Sequence, residues 1–336
     1  MDLRFCGNIL RKKSEMAVYT EVTDEDLAAF LARYDCGELS YYKGIAEGVE
    51  NTNYLVKTER DRYILTLYEK RVNEADLPYF LKLKQHLAQR GVSCPVPVRD
   101  RTGQTLGELN GRRAALITFL DGVSVRHPKA EHCALVGRAL AELHLASADF
   151  GMYRKNALGP QGWPPLYARF AARAGEIAPD LPASIESELA VHAGGFPAGL
   201  PRGVIHADLF PDNVFFSHGA LSGLIDFYFA CNDALAYDIA ICLNAWCFDQ
   251  RHVFDVAKGA ALLSGYEAVR MLTTAERLAL PTLARAASLR FLLTRSYDWL
   301  NRPPGALVTP HDPLDYVARL VFHRQVQSIK DYGGSA

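Results

Sequence analysis

Within the stretch His206-Ala207-Asp208-Leu209-Phe210-Pro211-Asp212-Asn213, followed by Leu224-Ile225-Asp226-Phe227-Tyr228, the carboxylates of Asp208 and Asp226 and the carboxamide of Asn213 come close together in sequence, with no thiolate nearby. Val204-Ile205 reads as a short buried strand that delivers His206 and Asp208 to a loop. Pro211-Asp212 turns the chain, and Asn213 opens the apolar strand Val214-Phe215-Phe216. The turn Ser217-His218-Gly219-Ala220 then lets Leu221 to Ile225 return antiparallel, so that Asp226 comes back beside Asn213. Hard oxygen ligands in small number suit Mg2+, which keeps waters and borrows further ligands from nucleotide phosphates. Phosphoryl transfer needs that charge neutralisation and a group that orients an attacking hydroxyl. A carboxylate of ordinary pKa, about 4, is a weak base toward an alcohol. Asp208 would therefore orient the hydroxyl and take its proton late. The bland alternative is that Asp208 and Asp226 only cap turns, as Asp often does. The complete order of His-x-Asp, Asn five residues on, a hairpin and a strand-terminal Asp favours the chemical reading. His206 reads as structural, its ring pinning the loop, and Asp212 as a solvated turn residue.

The elements around this stretch divide in character. Thr23 with Asp26 three residues on opens a helix over 24–34. Short strands follow at 39–43, 52–58 and 63–68, then a helix over 77–89 stopped by Gly91, then strand signals at 96–98 and 112–119. Beyond Leu120-Asp121-Gly122 the apolar spacing becomes helical, over 130–147, 166–174, 185–192, 233–248, 253–266, 275–301 and 314–329. One strand-rich insert, 204–229, interrupts these helices. The expected class is α+β: a β-rich N-lobe over 16–117, a hinge over 118–122, and a helical C-lobe over 123–336 holding one hairpin. Residues 1–15 read as an N-terminal extension. Clefts between lobes commonly hold ligands.

Composition excludes several classes. Lys plus Arg number 37 and Asp plus Glu 38, a net charge of −1, which leaves no electrostatic footprint for nucleic acid. Seven scattered cysteines with no C-x-x-C pair point to reduced, buried thiols in a cytoplasmic protein. No apolar run is long enough to span a bilayer, and nothing suggests an obligate protein partner.

His206-Ala-Asp208-Leu-Phe-Pro-Asp212-Asn213 and Ile225-Asp226-Phe227 resemble the catalytic and metal-binding motifs of the aminoglycoside phosphotransferase and choline kinase superfamily, which has a two-lobed, protein-kinase-like fold. Within it, the chain is similar to the bacterial homoserine kinase family. The similarity is carried by Gly48-Val-Glu-Asn51-Thr-Asn53-Tyr54, Tyr63 to Arg71, Ile117 to Gly122, Leu143-His144, Tyr237 to Cys247 and Arg290 to Trp299. It runs from about residue 17 to the end. The resemblance implies ATP-dependent phosphorylation of the L-homoserine hydroxyl, in threonine biosynthesis, with Asp208 as base and Asn213 and Asp226 on Mg2+. It also implies a nucleotide-covering loop over 44–53 with Gly44, Gly48, Asn51 and Asn53, and a hinge of Thr118, Phe119 and Asp121 against the adenine. Gly44 and Gly48 would let the backbone approach phosphates.

Two departures stand out. Protein kinases place a Lys on the third strand against the α/β-phosphates; here Thr66 occupies that place, with Lys70 or Arg71 just beyond it as the candidate charge. Asp226 is followed by Phe227-Tyr228 rather than Phe-Gly, which speaks against a protein kinase. A zwitterionic acceptor needs a cation for its carboxylate and an acid for its ammonium. Arg295, Asp233 and Trp246 are the expected acceptor residues, although Arg295 could simply bridge to Asp298. Asp238 reads as a buried brace for the catalytic loop. The competing readings are phosphotransfer to another small alcohol, such as an aminoglycoside, choline or ethanolamine, and a nucleotide-binding pseudokinase scaffold.

Overall fold

The computed structural model describes residues 20–45, 51–69, 73–302 and 310–335. Residues 1–15, Gly48, Lys70 and Arg71 therefore lie outside the described residues. Helix α1 (Asp24–Leu31) opens on the expected capping box, in which the Thr23 side chain accepts from the Asp26 amide and Asp26 reaches back to the Thr23 amide. An antiparallel sheet follows in the order β1-β2-β3-β5-β4, formed by Leu39–Ile45, Asn51–Thr58, Arg62–Tyr68, Arg112–Thr118 and Gly107–Leu109. Val96 to Val98, expected as a strand, makes only bridging contacts to β5, with Val98 N–H donating to Leu116 O at 2.7 Å. Its prolines at 95 and 97 cannot donate to a ladder.

One face of the sheet and α1 share a core that includes Leu27, Phe30, Val56, Leu65 and Leu116. Helix α2 (Leu77–Gln89) instead packs Leu77, Phe80, Leu83 and Leu87 into the larger core built with the later helices. Each buried Leu or Phe of that seam is worth about 1.5–3 kcal/mol, which anchors the sheet to the helical part.

After Thr118 the chain crosses to the helical part, where Val123 exchanges backbone hydrogen bonds with Phe216 at 3.0 and 2.9 Å. Helix α3 (Ala130–Ala146) packs on α7 (Val256–Glu267) where glycines meet backbone. A Cβ at Gly137 would stand 2.0 Å from Leu262 O, and one at Gly265 2.1 Å from Ala134 O, so the close crossing demands glycine. Two antiparallel ribbons lie among the helices: β7 (Val214–Ser217) with β8 (Ala220–Leu224), as expected, and β6 (Arg202–Ile205) with β9 (Cys231–Ala234). The second was not expected. A helix was expected from Asp233, but Asn232 and Asp233 pair with Val204 and Gly203, and helix α6 (Leu235–Trp246) begins only after them. Helices α4 (Trp163–Ala168) and α5 (Leu181–Val191) flank the loop after α3, and α8 (Thr274–Leu300) and α9 (Leu314–His323) close the core. The six cysteines among the described residues are buried free thiols. No helix among the described residues is long and apolar enough to cross a membrane.

Candidate active site

Strand β6 ends at Ile205 and hands the chain to a loop held in an unusual backbone shape. Ala207 has φ +63°, a left-handed conformation that an L side chain adopts at a cost of about 1–3 kcal/mol. Buried Asp238 on α6 supports it, accepting the amides of His206 at 2.6 Å and Ala207 at 2.9 Å while His144 Nε2 stands 3.2 Å away. These interactions hold the Asp238 carboxyl below the usual carboxylate range despite its burial, which acts first and in the opposite direction. From the other side, Arg290 Nη1 on α8 donates to the Ala207 carbonyl, and its Nη2 stands 3.8 Å from Asp208 Oδ1.

Asp208 is thereby presented next to Asn213. The Asn213 Nδ2 donates to Asp208 O at 2.8 Å and lies 3.4 Å from its Oδ2, which leaves Asn213 Oδ1 as the atom able to act as an oxygen donor. Ile225 N–H donates to Asn213 O at 3.0 Å, so the β7–β8 ribbon sets Asp226 directly beyond Asn213. His206 Nε2 donates to Ile225 O at 3.0 Å, tying the 206–213 loop to the return strand, and its ring packs 4.8 Å from Phe227. That is the pinning role read from its position. Leu209 O accepts from Trp246 Nε1 at 2.7 Å. Asp226 also has a left-handed backbone, φ +61°. It is open to solvent on one side but ringed by protein. That surrounding raises its carboxyl pKa, against the opposing pull of His206 and Lys84.

An amide oxygen and a carboxylate form an all-oxygen, incomplete donor set. This fits a small hard divalent ion that keeps waters and phosphate ligands, and does not fit zinc. Lys84 was not singled out from the sequence. It is a buried amine on α2, 5.4 Å from the centre of the Tyr228 ring, and burial pushes its pKa down to about 8, with Asp226 pulling the other way. Buried Thr66 donates to Asn53 Oδ1 at 2.8 Å. A basic residue at helical spacing on an otherwise apolar face was the available signal for Lys84.

The residues expected on the nucleotide side lie in the sheet and just after it. Gly44 sits within β1 opposite Tyr54. Asn51 is buried and accepts the Glu69 amide at 3.4 Å. Thr118 is committed to Val96, its Oγ1 accepting the Val96 amide at 2.9 Å. The Phe119 ring lies 4.3 Å below the Arg62 guanidinium, which also pairs with exposed Asp121 at 2.9 Å.

The expected acceptor residues do not converge. Trp246 is 1 % exposed, its indole spent on Leu209 O. Buried Asp233 holds Arg202 and Asn156, each at 2.8 Å. Arg295 pairs with Asp315 at 3.3 Å and lies over the Tyr316 ring. A cavity of about 260 Å³ beside Asp208 is lined instead by Asp76, Phe80, Arg154, Ala207, Phe229 and Arg290, among others.

Residues 42–272 match the model of the phosphotransferase enzyme family. The chain is 61 % identical over 321 residues to a homoserine kinase of Xanthobacter autotrophicus, covering 96 % of this chain and all of the relative. It is 60 % identical to one of Bradyrhizobium diazoefficiens, covering 95 % of this chain and 98 % of that one. Among solved structures it is similar to amicoumacin kinase in complex with AMP-PNP and Ca2+, at TM-score 0.66 and 15 % identity over 92 % of this chain and 94 % of that one. A choline kinase from Cryptosporidium parvum superposes with TM-score 0.66 and 14 % identity, over 92 % and 96 % of the two chains. These two likenesses show a shared two-lobed kinase-like fold.

Proposed function

Because the chain belongs to the phosphotransferase enzyme family and, within it, to the homoserine kinases, we propose that it transfers the terminal phosphoryl group of ATP to the hydroxyl of L-homoserine. The products are ADP and O-phospho-L-homoserine. The observation that carries the site assignment is the amide of Asn213 bound to Asp208 while the Asn213 carbonyl receives the Ile225 amide. One loop and one ribbon thus offer an acid to the acceptor and a second acid, Asp226, with an amide to a cation.

In this reading Asp208 accepts a hydrogen bond from the acceptor hydroxyl, aims its oxygen at the phosphorus, and takes the proton as transfer completes. Asn213 and Asp226 would hold Mg2+, which supplies neutralisation of charge on the phosphate oxygens. Asp238 and Arg290 keep the Asp208 loop in its left-handed turn, so no reorganisation is needed when the acceptor arrives. The β1–β2 hairpin covers the nucleotide and the 118–121 segment borders its base. The phosphate-facing charge absent at Thr66 is assigned to Lys70.

An ADP-release assay on the purified protein tests this, with L-homoserine, choline, ethanolamine and an aminoglycoside offered in turn. Turnover confined to L-homoserine and dependent on a divalent ion is expected. Turnover with another of these alcohols and none with L-homoserine would reject the reading.

A further inference from the structure

The cavity beside Asp208 has the size and charge pattern of an amino-acid site. Its volume of about 260 Å³ lies just below the range usual for drug-sized ligands, roughly 300–1,000 Å³, a size that suits a small acceptor. Its charged lining comes from three distant parts of the chain. Asp76 stands at the start of α2, Arg154 in the loop after α3, and Arg290 on α8. Arg154 is seated by β9, its amide donating to Asn232 Oδ1 at 2.9 Å and its carbonyl receiving the Asn232 amide at 2.7 Å. Its Nε donates to Asp76 Oδ2 at 2.8 Å and its Nη1 to Ala230 O at 3.1 Å, while Nη2 has no hydrogen bond among the described residues. Arg290 is 3 % exposed, and its Nε has no partner among the described residues. The Arg154 Nη2, left without a protein acceptor, is the N–H that an arriving anion would satisfy.

Resting on the homoserine kinase reading, we propose that this cavity is the acceptor pocket and recognises the α-amino-acid head of the substrate. The carboxylate lies on Arg154 Nη2, in the field of the Arg290 guanidinium that lines the same cavity, the ammonium on the free oxygen of Asp76, and the side-chain hydroxyl on Asp208. The Arg154–Asp76 pair presents opposite charges side by side, as a zwitterion does. Arg290 bridges the head-group site and the reacting site, since it touches both the cavity and the Asp208 loop.

Steady-state kinetics of Arg154→Gln and Asp76→Asn, with two analogues as competitive inhibitors, test the assignment. 3-Aminopropan-1-ol lacks the carboxylate and 4-hydroxybutanoate lacks the ammonium. Arg154→Gln should raise KM for L-homoserine roughly ten- to hundredfold, leave KM for ATP unchanged, and leave inhibition by 3-aminopropan-1-ol unchanged. Asp76→Asn, which can still accept from Arg154, should raise the same KM and leave inhibition by 4-hydroxybutanoate unchanged. An unaltered KM for L-homoserine in both variants overturns the pocket while the kinase reading stands. So does an equal loss of affinity for substrate and for both analogues, which would mark a merely structural role. Failure of the unmodified protein to phosphorylate L-homoserine removes the kinase reading itself.

Discussion

The carboxylate of Asp238 lies 2.9 Å from the amide nitrogen of Ala207, the residue immediately before Asp208 and one of two left-handed positions at the site. A second bond from Asp238 to the His206 amide makes this a two-point clamp, and Arg290 completes it at the Ala207 carbonyl. The direction in which Asp208 points is therefore set from two helices, α6 and α8, rather than by the loop itself.

Asp238→Ala leaves two buried amides without an acceptor, at about 1–3 kcal/mol each, and lets the strained turn relax. The expected result is a loss of about 3 kcal/mol or more in chemical denaturation, with turnover falling further than the fraction unfolded explains. Stability within about 0.5 kcal/mol of the unmodified protein would contradict the clamp.

Asp208→Ala should keep nucleotide affinity near normal and lower turnover by roughly three orders of magnitude, the scale of a positioned general base. Isothermal titration with a non-hydrolysable ATP analogue and single-turnover kinetics separate the two effects. Retained activity would remove Asp208 from its role.

Asp226→Ala should act on binding. With one of two protein oxygen donors removed, nucleotide affinity should lose its dependence on divalent ion concentration. Chelation should weaken nucleotide binding to the unmodified protein in the same way. A variant that still shows full cation dependence would mean the ion is held elsewhere.

His192 gives the fold a pH limit. Burial, with Arg285 adding to it, pushes its pKa down from 6.5 to about 4, only partly opposed by Glu188. The unfolded chain therefore binds the proton more readily than the folded one between those values. This contribution is fully present above pH 6.5 and is lost as pH falls toward 4, amounting to about 3 kcal/mol as an order of magnitude. Denaturant midpoints for the protein and for His192→Phe should diverge at neutral pH and draw together on acidification through this window. A constant offset would exclude proton linkage at His192.

Lys84 works in the opposite chemical sense with the same sign. Its amine, buried without an ion pair among the described residues, has its pKa pushed down to about 8. Its charged form at pH 7 is a folding cost that fades as pH rises from 8 toward 10.5. Lys84→Met fills similar space without the charge and should raise stability at pH 7 by about 1–3 kcal/mol. A destabilised variant would show that the amine has a favourable partner in the folded protein.

Much of the site was legible because it is local. Asp208 and Asn213 lie on one loop, and a four-residue turn returns the chain to Asp226, so turn chemistry and strand alternation suffice to bring the three together. The capping box of α1, the full span of α2 and four of the five sheet strands follow from the same short-range rules. Those rules failed for β9, whose Cys231-Asn-Asp-Ala carries no strand pattern and is a strand only because β6 lies beside it.

The amino-acid order alone determined which groups are offered, oxygen donors close together on a loop and a ribbon, and the helical or extended habit of most segments. Packing decided which distant charges face Asp208. Asp233 and Trp246 read as acceptor groups from their place after the hairpin, and Arg295 from its charge beside Asp298, yet each is occupied by neighbours, while Asp76, Arg154 and Arg290 share one cavity. The reason is that propensity and periodicity act over a few residues, whereas side chains far apart in sequence meet only where apolar faces have already docked their helices.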